Sequence, residues 1–368
     1  MAVKAVHASS EMPKLDLIQE NPTVSIVTSP RQGLENGSFK KGKFSVIGHR
    51  GTGMNLLTSA ADGRFKAIKE NSIRSFNQAA TLFVDFIEFD VQVTKDGHPI
   101  VFHDNFIIAE ENGSIYEHRV TELDLEEFLS YGPQKDSMRF EKPLQRKSKD
   151  GRIGRWSVEE DDCLCTLEEV FLHVHPRLGF NIELKFDDHL VYSDDQLTCC
   201  LRRILNVVFE HSNNRNIFFS SFQPDAALLM RKLQSVHPVY FLTNGGNQVF
   251  SDTRRNSLDE ALKHCLASDL QGIVSEVRGL FRNPALIPRI KESNLAILTY
   301  GQLNNVSEAV YMQHLMGVDG VIVDFVKEIT DAVSDFVGET RTDTTERPEF
   351  SQSDLKFLLK LIPKLIQQ

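Results

Sequence analysis

The sequence lacks the features that define several large protein classes. No apolar run approaches the roughly 18 residues of a membrane-spanning helix. The formal net charge of −10 argues against nucleic acid as a partner, because nucleic-acid binders are usually basic. There are five cysteines, and neither Cys163 with Cys165 nor the adjacent Cys199 and Cys200 has zinc-finger spacing. We therefore expect free thiols in a reducing compartment.

The N-terminal segment does not have the composition of an export signal. It lacks a positively charged start followed by an apolar stretch, which a secretory signal requires. It contains Glu11, Asp16, Glu20 and Glu35, whereas transit peptides are poor in acidic residues. We expect an intracellular protein located in the cytoplasm, and the plastid is the alternative.

The most informative stretch is residues 85–104, which reads DFIEFDVQVTKDGHPIVFHD. In its first half, Phe86, Glu88 and Asp90 alternate with the apolar residues Ile87, Phe89 and Val91, and this period of two predicts a β-strand. Successive strand residues point to opposite sides, so Phe86, Glu88 and Asp90 share one face. The strand therefore brings two carboxylates to the same side.

A turn signal follows this strand. Asp96-Gly97 is typical of a two-residue β-hairpin turn, and such a turn sets Asp90 opposite His103. Directly opposed residues have Cβ atoms roughly 4.5–5.5 Å apart. The stretch therefore predicts two carboxylates and an imidazole at one place, which suits metal binding combined with acid–base chemistry.

Strand and helix patterns alternate along most of the chain, which favours parallel βαβ units. The run 99–103 is a hairpin return, because a parallel crossover needs about a dozen residues. The strand candidates that remain are residues 44–48, 85–91, 179–186, 216–221, 238–243, 272–276, 295–300 and 320–324. This number predicts an α/β fold, a (β/α)₈ TIM barrel with an insertion after the β-hairpin that follows the second strand. The alternative is an open doubly wound sheet, although no G-x-G-x-x-G follows a strand.

The chain divides into three predicted regions. Residues 1–42 are rich in Ser, Pro, Gly and Asn and are predicted to be a flexible lead-in. Residues 43–330 form the barrel domain, with the insertion at about 105–165. Residues 331–368 are predicted to be an acidic linker and a C-terminal amphipathic helix, which docks on the barrel or on the second subunit of a homodimer.

Polar residues stand at the ends of the predicted strands, where barrel enzymes carry their active sites. They are His49 and Arg50, Glu88 and Asp90, Glu183 and Lys185, Ser220 and Ser221, Thr243 and Asn244, Ser275 and Glu276, Tyr300, and Asp324. Any one of them alone is more often structural. Their repetition around the ring is hard to explain by packing, so we favour a functional site.

The residue types at these ends indicate a particular chemistry. Glu88, Asp90 and Glu183 offer an all-oxygen ligand set, which hard cations such as Mg²⁺ or Ca²⁺ prefer. Arg50 and Lys185 add the positive charge that a phosphate group requires.

Two histidines complete the set. His49 and His103 can serve as general base and general acid near neutral pH. A divalent metal, two cations and two histidines together predict hydrolysis of a phosphate ester.

The order of the motifs resembles the glycerophosphodiester phosphodiesterase family, and most closely its plant and fungal intracellular type. The motifs are HRG, E-N-S, IEFDVQVTKDGHPIVFHD, T-L-E-E, IELK, SSF and VDGVIVD, spread over residues 46–324. The resemblance implies a (β/α)₈ barrel that hydrolyses glycerophosphodiesters, such as glycerophosphocholine and glycerophosphoethanolamine, to an alcohol and sn-glycerol 3-phosphate. It also implies Mg²⁺ or Ca²⁺ as cofactor, and it relates the insertion to small glycerol-headed substrates.

The resemblance also implies a role for each site residue. The catalytic pair is His49 and His103. The metal ligands are Glu88, Asp90 and Glu183, with Glu70 in or beside the set. The substrate-binding residues are Arg50, Lys185, Ser221, Phe222 and Tyr300. One departure lies at Tyr300, where members of the family commonly carry a tryptophan, so the alcohol preference stays open.

We expect a two-step mechanism with the two histidines alternating as base and acid. The glycerol 2-hydroxyl attacks phosphorus, and water then opens the cyclic phosphate. One alternative is a lysophospholipase D that acts on lysolipids through an open apolar groove beside Phe222 and Tyr300. Another is a non-catalytic barrel that binds glycerophosphodiesters.

Overall fold

The fold is described from a computed structural model, which covers residues 43–57, 62–111, 113–135, 142–148 and 151–339. The predicted lead-in, residues 1–42, and the predicted C-terminal helix lie outside the described residues.

Strands and helices alternate through the described part of the chain. The strands are β1 (Ser45–Gly48), β2 (Phe86–Val93), β3 (Pro99–Val101), β4 (Phe106–Glu111), β5 (Ser114–Arg119), β6 (Leu144–Lys147), β7 (Ile153–Arg155), β8 (Cys165–Thr166), β9 (Gly179–Leu184), β10 (Ile217–Ser221), β11 (Val239–Thr243), β12 (Gly272–Glu276), β13 (Ala296–Tyr300) and β14 (Gly320–Val323). The α-helices are α1 (Ile73–Thr81), α2 (Leu125–Leu129), α3 (Leu167–His173), α4 (Asp194–His211), α5 (Pro224–Leu233), α6 (Leu258–Ala267), α7 (Val277–Arg282), α8 (Leu286–Glu292), α9 (Ser307–Met316) and α10 (Val326–Glu339). Single 3₁₀ turns lie at Gly63–Lys66, Val120–Glu122, Thr253–Arg255 and Gln302–Asn305.

Eight parallel strands close into a barrel. The order is β1-β2-β9-β10-β11-β12-β13-β14, and β14 pairs with β1 to complete the ring. The predicted (β/α)₈ barrel is therefore confirmed, and the doubly wound sheet is excluded. All eight predicted barrel strands are present, with boundaries that differ by at most two residues.

Alternation along the strands separates the barrel interior from the helix-facing surface. The interior cluster consists of Ile47, Phe86, Phe218, Tyr240, Leu242, Val274, Leu298 and Ile322. Outward-facing residues such as Ile87, Phe89 and Phe219 pack against the surrounding helices. The interior side chains fill the barrel below its C-terminal mouth, so the inward residues at the strand ends face that mouth.

Local capping follows the sequence signals. The Ser72 hydroxyl accepts a hydrogen bond from the Ser75 N–H and begins α1. Thr166 and Glu169, the first and last residues of the T-L-E-E motif, form a capping box at the start of α3. These caps satisfy backbone N–H groups that the first turn leaves without partners.

The predicted hairpin register is wrong by one residue. Asp90 stands opposite Phe102, whose N–H donates to the Asp90 carbonyl over 3.0 Å, and not opposite His103. The loop has three residues, because Gly97 N–H bonds back to the Thr94 carbonyl over 2.9 Å. Gly97 has φ +89, the left-handed conformation typical of three-residue hairpin loops.

The insertion is a small sheet with its own core. Its antiparallel strands lie in the order β5-β4-β6-β7, and α2 packs beside them. These strands were not predicted from the sequence, because β5, for example, is half-buried on both faces and shows no period-two pattern.

The C-terminal part departs from prediction in one respect. Helix α10 extends to Glu339, so the first nine residues of the segment predicted as an acidic linker are helical. Within the described residues, none of the helices has both the length and the apolar character needed to cross a membrane.

Candidate active site

The predicted site residues converge at the C-terminal mouth of the barrel. The inward residues at the strand ends are His49, Glu88, Asp90, Glu183, Lys185, Phe222, Asn244, Glu276, Tyr300 and Asp324. They continue the inward series of each strand beyond the apolar interior, by one step in some strands and by two in others. The barrel therefore gathers on one surface polar groups that lie far apart in sequence.

Three carboxylates form a compact acidic group. One oxygen from each of Glu88, Asp90 and Glu183 lies within 4.8 Å of the others, and all three residues are buried. The parallel pairing of β2 with β9 sets Asp90 beside Glu183.

The donor set fits a hard divalent cation. Glu88 Oε1 is buried without a hydrogen-bond partner. Burial, and next the charge of Asp90, raise the pKa of Glu88 to about 8, and burial also raises the pKa of Glu183. Buried carboxylates with this much excess negative charge need a cation or a proton. An all-oxygen site of this kind suits Mg²⁺ or Ca²⁺.

Arg50 is held against this group by several contacts. Its backbone N–H donates to Glu88 Oε2 over 3.0 Å, and its Nε lies 3.2 Å from Asp90 Oδ2. Its Nη1 donates to Glu70 Oε1 over 2.7 Å. Arg50 has φ +50, which turns the chain sharply after β1 and points the guanidinium back into the mouth.

Lys185 supplies a second cation. Its Nζ lies 2.9 Å from Glu183 Oε1 and 3.6 Å from Asp90 Oδ1. Arg50 and Lys185 thus flank the acidic group and offer positive charge to an anionic ligand.

Glu70 lies beside the acidic group and not within it. Its carboxylate accepts hydrogen bonds from Arg50, from Arg146 and from the Asn55 N–H. Burial opposes ionisation, but Arg146 and Arg50 outweigh it and lower the pKa of Glu70 to about 2. Both oxygens are engaged by donors, so of the two positions that the resemblance implies, in the ligand set or beside it, the contacts favour the second.

His49 is oriented by a carboxylate. Its Nδ1 lies 2.7 Å from Asp324 Oδ1, and its Nε2 lies 3.9 Å from Glu88 Oε2. Desolvation lowers the pKa of His49, but the charge and hydrogen bond of Asp324 outweigh it and raise the pKa overall. Asp324 is fixed in turn by the Met54 N–H and by the Asn305 side chain.

His103 has the same support but the opposite electrostatics. Its Nδ1 lies 2.7 Å from Asp104 Oδ1. Desolvation, and next the positive charges of Arg50 and Lys185, lower the pKa of His103 to about 4. The two pKa values are therefore displaced in opposite directions, toward the protonated form for His49 and toward the neutral form for His103.

Sequence reasoning missed Asp104 and Arg146, and it placed Asp324 at a strand end without giving it a supporting role. Asp104 follows His103 directly, so a signal for it existed in the sequence. Arg146 comes from the basic run of the insertion, where nothing in the sequence distinguishes it from Lys142, Lys147 or Arg155.

Ser221 does not line the site as predicted. Its hydroxyl is fully buried, donates to the Leu184 carbonyl over 2.8 Å and accepts from the Gln223 N–H. The alternation of β10 turns Ser220 inward and Ser221 toward the helices, which accounts for the error.

The predicted aromatic residues do stand at the mouth. The rings of Phe222 and Tyr300 meet edge to face, with centroids 5.9 Å apart. The Tyr300 hydroxyl donates to the Asn244 side chain, which fixes the ring.

A cavity of about 480 Å³ opens from His103 toward the insertion. It is lined by His103, Asp104, Asn105, Phe106, Ile108, Glu117, Lys147, Glu183, Leu184, Lys185, Phe186, Asp187, Asp188, His189, Phe222 and Gln223. Its walls come from the barrel on one side and from β4, β5 and β6 on the other. The cavity is mixed in character, because both charged and apolar side chains line it.

Fold and site together define a class, a (β/α)₈ barrel whose mouth carries an acidic group that fits a divalent cation, two flanking positively charged side chains and two histidines. The chain belongs to the glycerophosphoryl diester phosphodiesterase family, whose sequence model matches residues 49–328. It is accordingly an enzyme of that family.

Two plant relatives support this assignment. Glycerophosphodiester phosphodiesterase GDPD1, chloroplastic, from Arabidopsis thaliana is 58% identical over 371 residues, covering 100% of both chains. Glycerophosphodiester phosphodiesterase GDPD2 from the same plant is 57% identical, covering 90% of this chain and 91% of its own.

Solved structures share the fold. A glycerophosphoryl diester phosphodiesterase from Silicibacter pomeroyi matches with a TM-score of 0.60 and 19% identity, over 82% of this chain and 97% of its own. A phosphodiesterase from Oleispira antarctica, solved with the product sn-glycerol-3-phosphate, matches with a TM-score of 0.56 and 18% identity, over 79% and 96%.

Proposed function

We propose that the protein hydrolyses glycerophosphodiesters, such as glycerophosphocholine and glycerophosphoethanolamine, to the free alcohol and sn-glycerol 3-phosphate with the aid of Mg²⁺ or Ca²⁺. The observation that carries the proposal is the pair His49 and His103. Each is oriented by its own carboxylate, and their pKa values are displaced in opposite directions.

The relatives support this choice of substrate. Glycerophosphocholine phosphodiesterase GDE1 from Candida albicans is 32% identical over 82% of this chain, although the match covers 29% of that longer protein. The Oleispira antarctica structure holds the product that the proposal requires.

In the first step the glycerol 2-hydroxyl attacks phosphorus. Neutral His103 accepts the hydroxyl proton at Nε2, and the new P–O bond forms as the bond to the alcohol breaks. His49 donates its proton to the departing alcohol oxygen. The products of this step are the free alcohol and a cyclic glycerol phosphate.

In the second step the histidines exchange roles. Neutral His49 accepts a proton from water, whose oxygen attacks phosphorus. The ring P–O bond to the glycerol 2-oxygen breaks, and His103 returns its proton to that oxygen. The enzyme regains its starting protonation state, and sn-glycerol 3-phosphate is released.

The other residues hold the phosphate and neutralise charge. Glu88, Asp90 and Glu183 would hold the divalent cation, which when bound supplies Lewis-acid stabilisation of charge on the phosphoryl group. Arg50 and Lys185 contact the remaining phosphate oxygens, because both cations already lie at the edge of the acidic group.

The cavity favours a small polar alcohol over a lipid chain. Phe106, Phe186 and Phe222 supply apolar surface, but charged side chains such as Lys147 and Asp188 interrupt it. A continuous apolar groove, which a lysophospholipase D would need for an acyl chain, is not formed by the described lining.

Substrate competition separates these alternatives. Purified protein is assayed with glycerophosphocholine and lysophosphatidylcholine at equal concentration, and both products are quantified. We expect kcat/KM for glycerophosphocholine to be at least tenfold higher. A preference for the lysolipid would support the lysophospholipase D instead. If neither substrate is hydrolysed but binding of a glycerophosphodiester is detected, the result would support a non-catalytic barrel.

The plastid is supported as the location by the chloroplastic Arabidopsis relative, which matches over its whole length. The full chain fused at its C-terminus to a fluorescent protein should accumulate in plastids of plant cells. A uniform cytoplasmic signal would support the cytoplasm as the location instead.

A further inference from the structure

Arg146 connects the insertion to the barrel site. It lies on β6, and its guanidinium reaches two carboxylates that support the catalytic groups. Its Nε lies 3.0 Å from Asp104 Oδ2, and its Nη2 lies 3.1 Å from Asp104 Oδ1 and 2.9 Å from Glu70 Oε1. Asp104 orients His103, and Glu70 holds Arg50.

The guanidinium is fixed from behind. It stacks over the Trp156 ring at 4.1 Å, and its Nη1 donates to the Asn55 carbonyl over 3.3 Å. Trp156 is buried and donates through its indole N–H to the Asn55 side chain. Only 12% of the Arg146 side chain is exposed, so its orientation is determined by its neighbours.

We infer that Arg146 is a positioning residue for the proposed reaction. Through Asp104 it fixes the imidazole of His103, and through Glu70 it fixes the guanidinium of Arg50. The insertion is thereby part of the catalytic apparatus, in addition to forming one wall of the cavity. This inference rests on the proposed function, because its readout is the hydrolysis itself.

The geometry requires arginine specifically. A guanidinium presents several N–H groups in a rigid plane and can bond two carboxylates at once. Lysine keeps the charge but offers a single flexible ammonium. Arg146→Lys should therefore retain the fold and lose the alignment of at least one partner.

The test compares Arg146→Lys and Arg146→Gln with the wild type, with Arg155→Gln as the matched control. Arg155 lies on the neighbouring strand of the insertion and is exposed. We expect kcat/KM to fall roughly 10- to 100-fold in both Arg146 variants, since a misplacement of about 1 Å can cost that much. Arg155→Gln should stay within about twofold of wild type.

A double-variant experiment distinguishes positioning from a merely structural role. The double variant Asp104→Asn/Arg146→Gln is compared with Asp104→Asn alone. If Arg146 acts on kcat through Asp104, kcat of the double variant should be less than threefold lower than that of Asp104→Asn. KM should still be higher in the double variant, because the contact of Arg146 with Glu70, and through it with Arg50, is present in Asp104→Asn. Thermal melting of each variant identifies the temperature at which all are folded, and the kinetics are measured below it.

Three outcomes would overturn the inference: Arg146→Lys with wild-type kcat and KM, a full multiplicative loss of kcat in the double variant, or an equal loss in Arg155→Gln. Inactivity of the wild type toward every glycerophosphodiester would instead contradict the proposed function, so the two failures are distinguishable.

Discussion

His49 Nδ1 lies 2.7 Å from Asp324 Oδ1, although 275 residues separate the two in sequence. The contact exists because β14 pairs with β1 and closes the barrel, so that the first and last strand ends are neighbours. Closure of the fold and orientation of the first histidine therefore depend on the same strand pairing.

Replacing Asp324 should change both the rate and its pH dependence. Asp324 raises the pKa of His49, so Asp324→Asn should lower that pKa and move the alkaline limb of the kcat/KM profile to lower pH. We also expect kcat to fall roughly 100-fold, the scale of lost acid catalysis. A pH–rate profile of the variant measures both. An unchanged alkaline limb would show that His49 is not the acid.

The two histidines should act as a unit. His49→Ala or His103→Ala should each lower kcat by at least about three orders of magnitude, and the double variant should be little worse than either single one. Steady-state release of the alcohol gives all three values. Independent, multiplicative losses would contradict paired acid–base catalysis.

The acidic group should make the metal-free protein less stable as pH rises. The folded-state pKa of Glu88 is raised to about 8, so its contribution is fully present below about pH 4.5 and is lost as pH rises through 8. In EDTA we expect Tm to be lower at pH 9 than at pH 6 by roughly 4 °C.

Glu88→Gln is the control for that prediction, because it removes the buried charge and keeps the shape. It should reduce the dependence of Tm on pH in EDTA and also abolish the stabilisation that added Mg²⁺ or Ca²⁺ gives the wild type. Equal pH dependence in the two proteins would assign the effect to other groups.

Ser221→Ala tests the corrected residue. Its hydroxyl bonds the Leu184 carbonyl and the Gln223 N–H, so its loss should cost about 1 kcal/mol of unfolding free energy. Because it does not face the mouth, kcat and KM should stay within about twofold of wild type. A large rise in KM without a loss of stability would restore Ser221 to the substrate site.

Residues whose position follows from strand periodicity could be predicted from the sequence. Glu88, Asp90 and Glu183 lie on the inward face that alternation assigns them, and the eight strands follow from apolar runs separated by helix patterns. Ser221 was named for the substrate site on the family resemblance alone, without a test of its face. The alternation of β10 turns its side chain outward, where its hydroxyl bonds Leu184 and Gln223.

Residues that act through tertiary contact could not be predicted. Arg146 belongs to a half-buried strand without a clear period, and only the packing of the insertion on the barrel selects it from several cations. The hairpin register depended on the loop conformation at Gly97, which the dipeptide Asp96-Gly97 does not determine.

The most direct test of the central claim is release of sn-glycerol 3-phosphate from glycerophosphocholine by the purified protein, first in EDTA and then with added Mg²⁺ or Ca²⁺. The account predicts no release in EDTA and recovery with metal in the wild type, and no recovery in Glu88→Gln. Full activity in EDTA, or recovery in a folded Glu88→Gln variant, would contradict it.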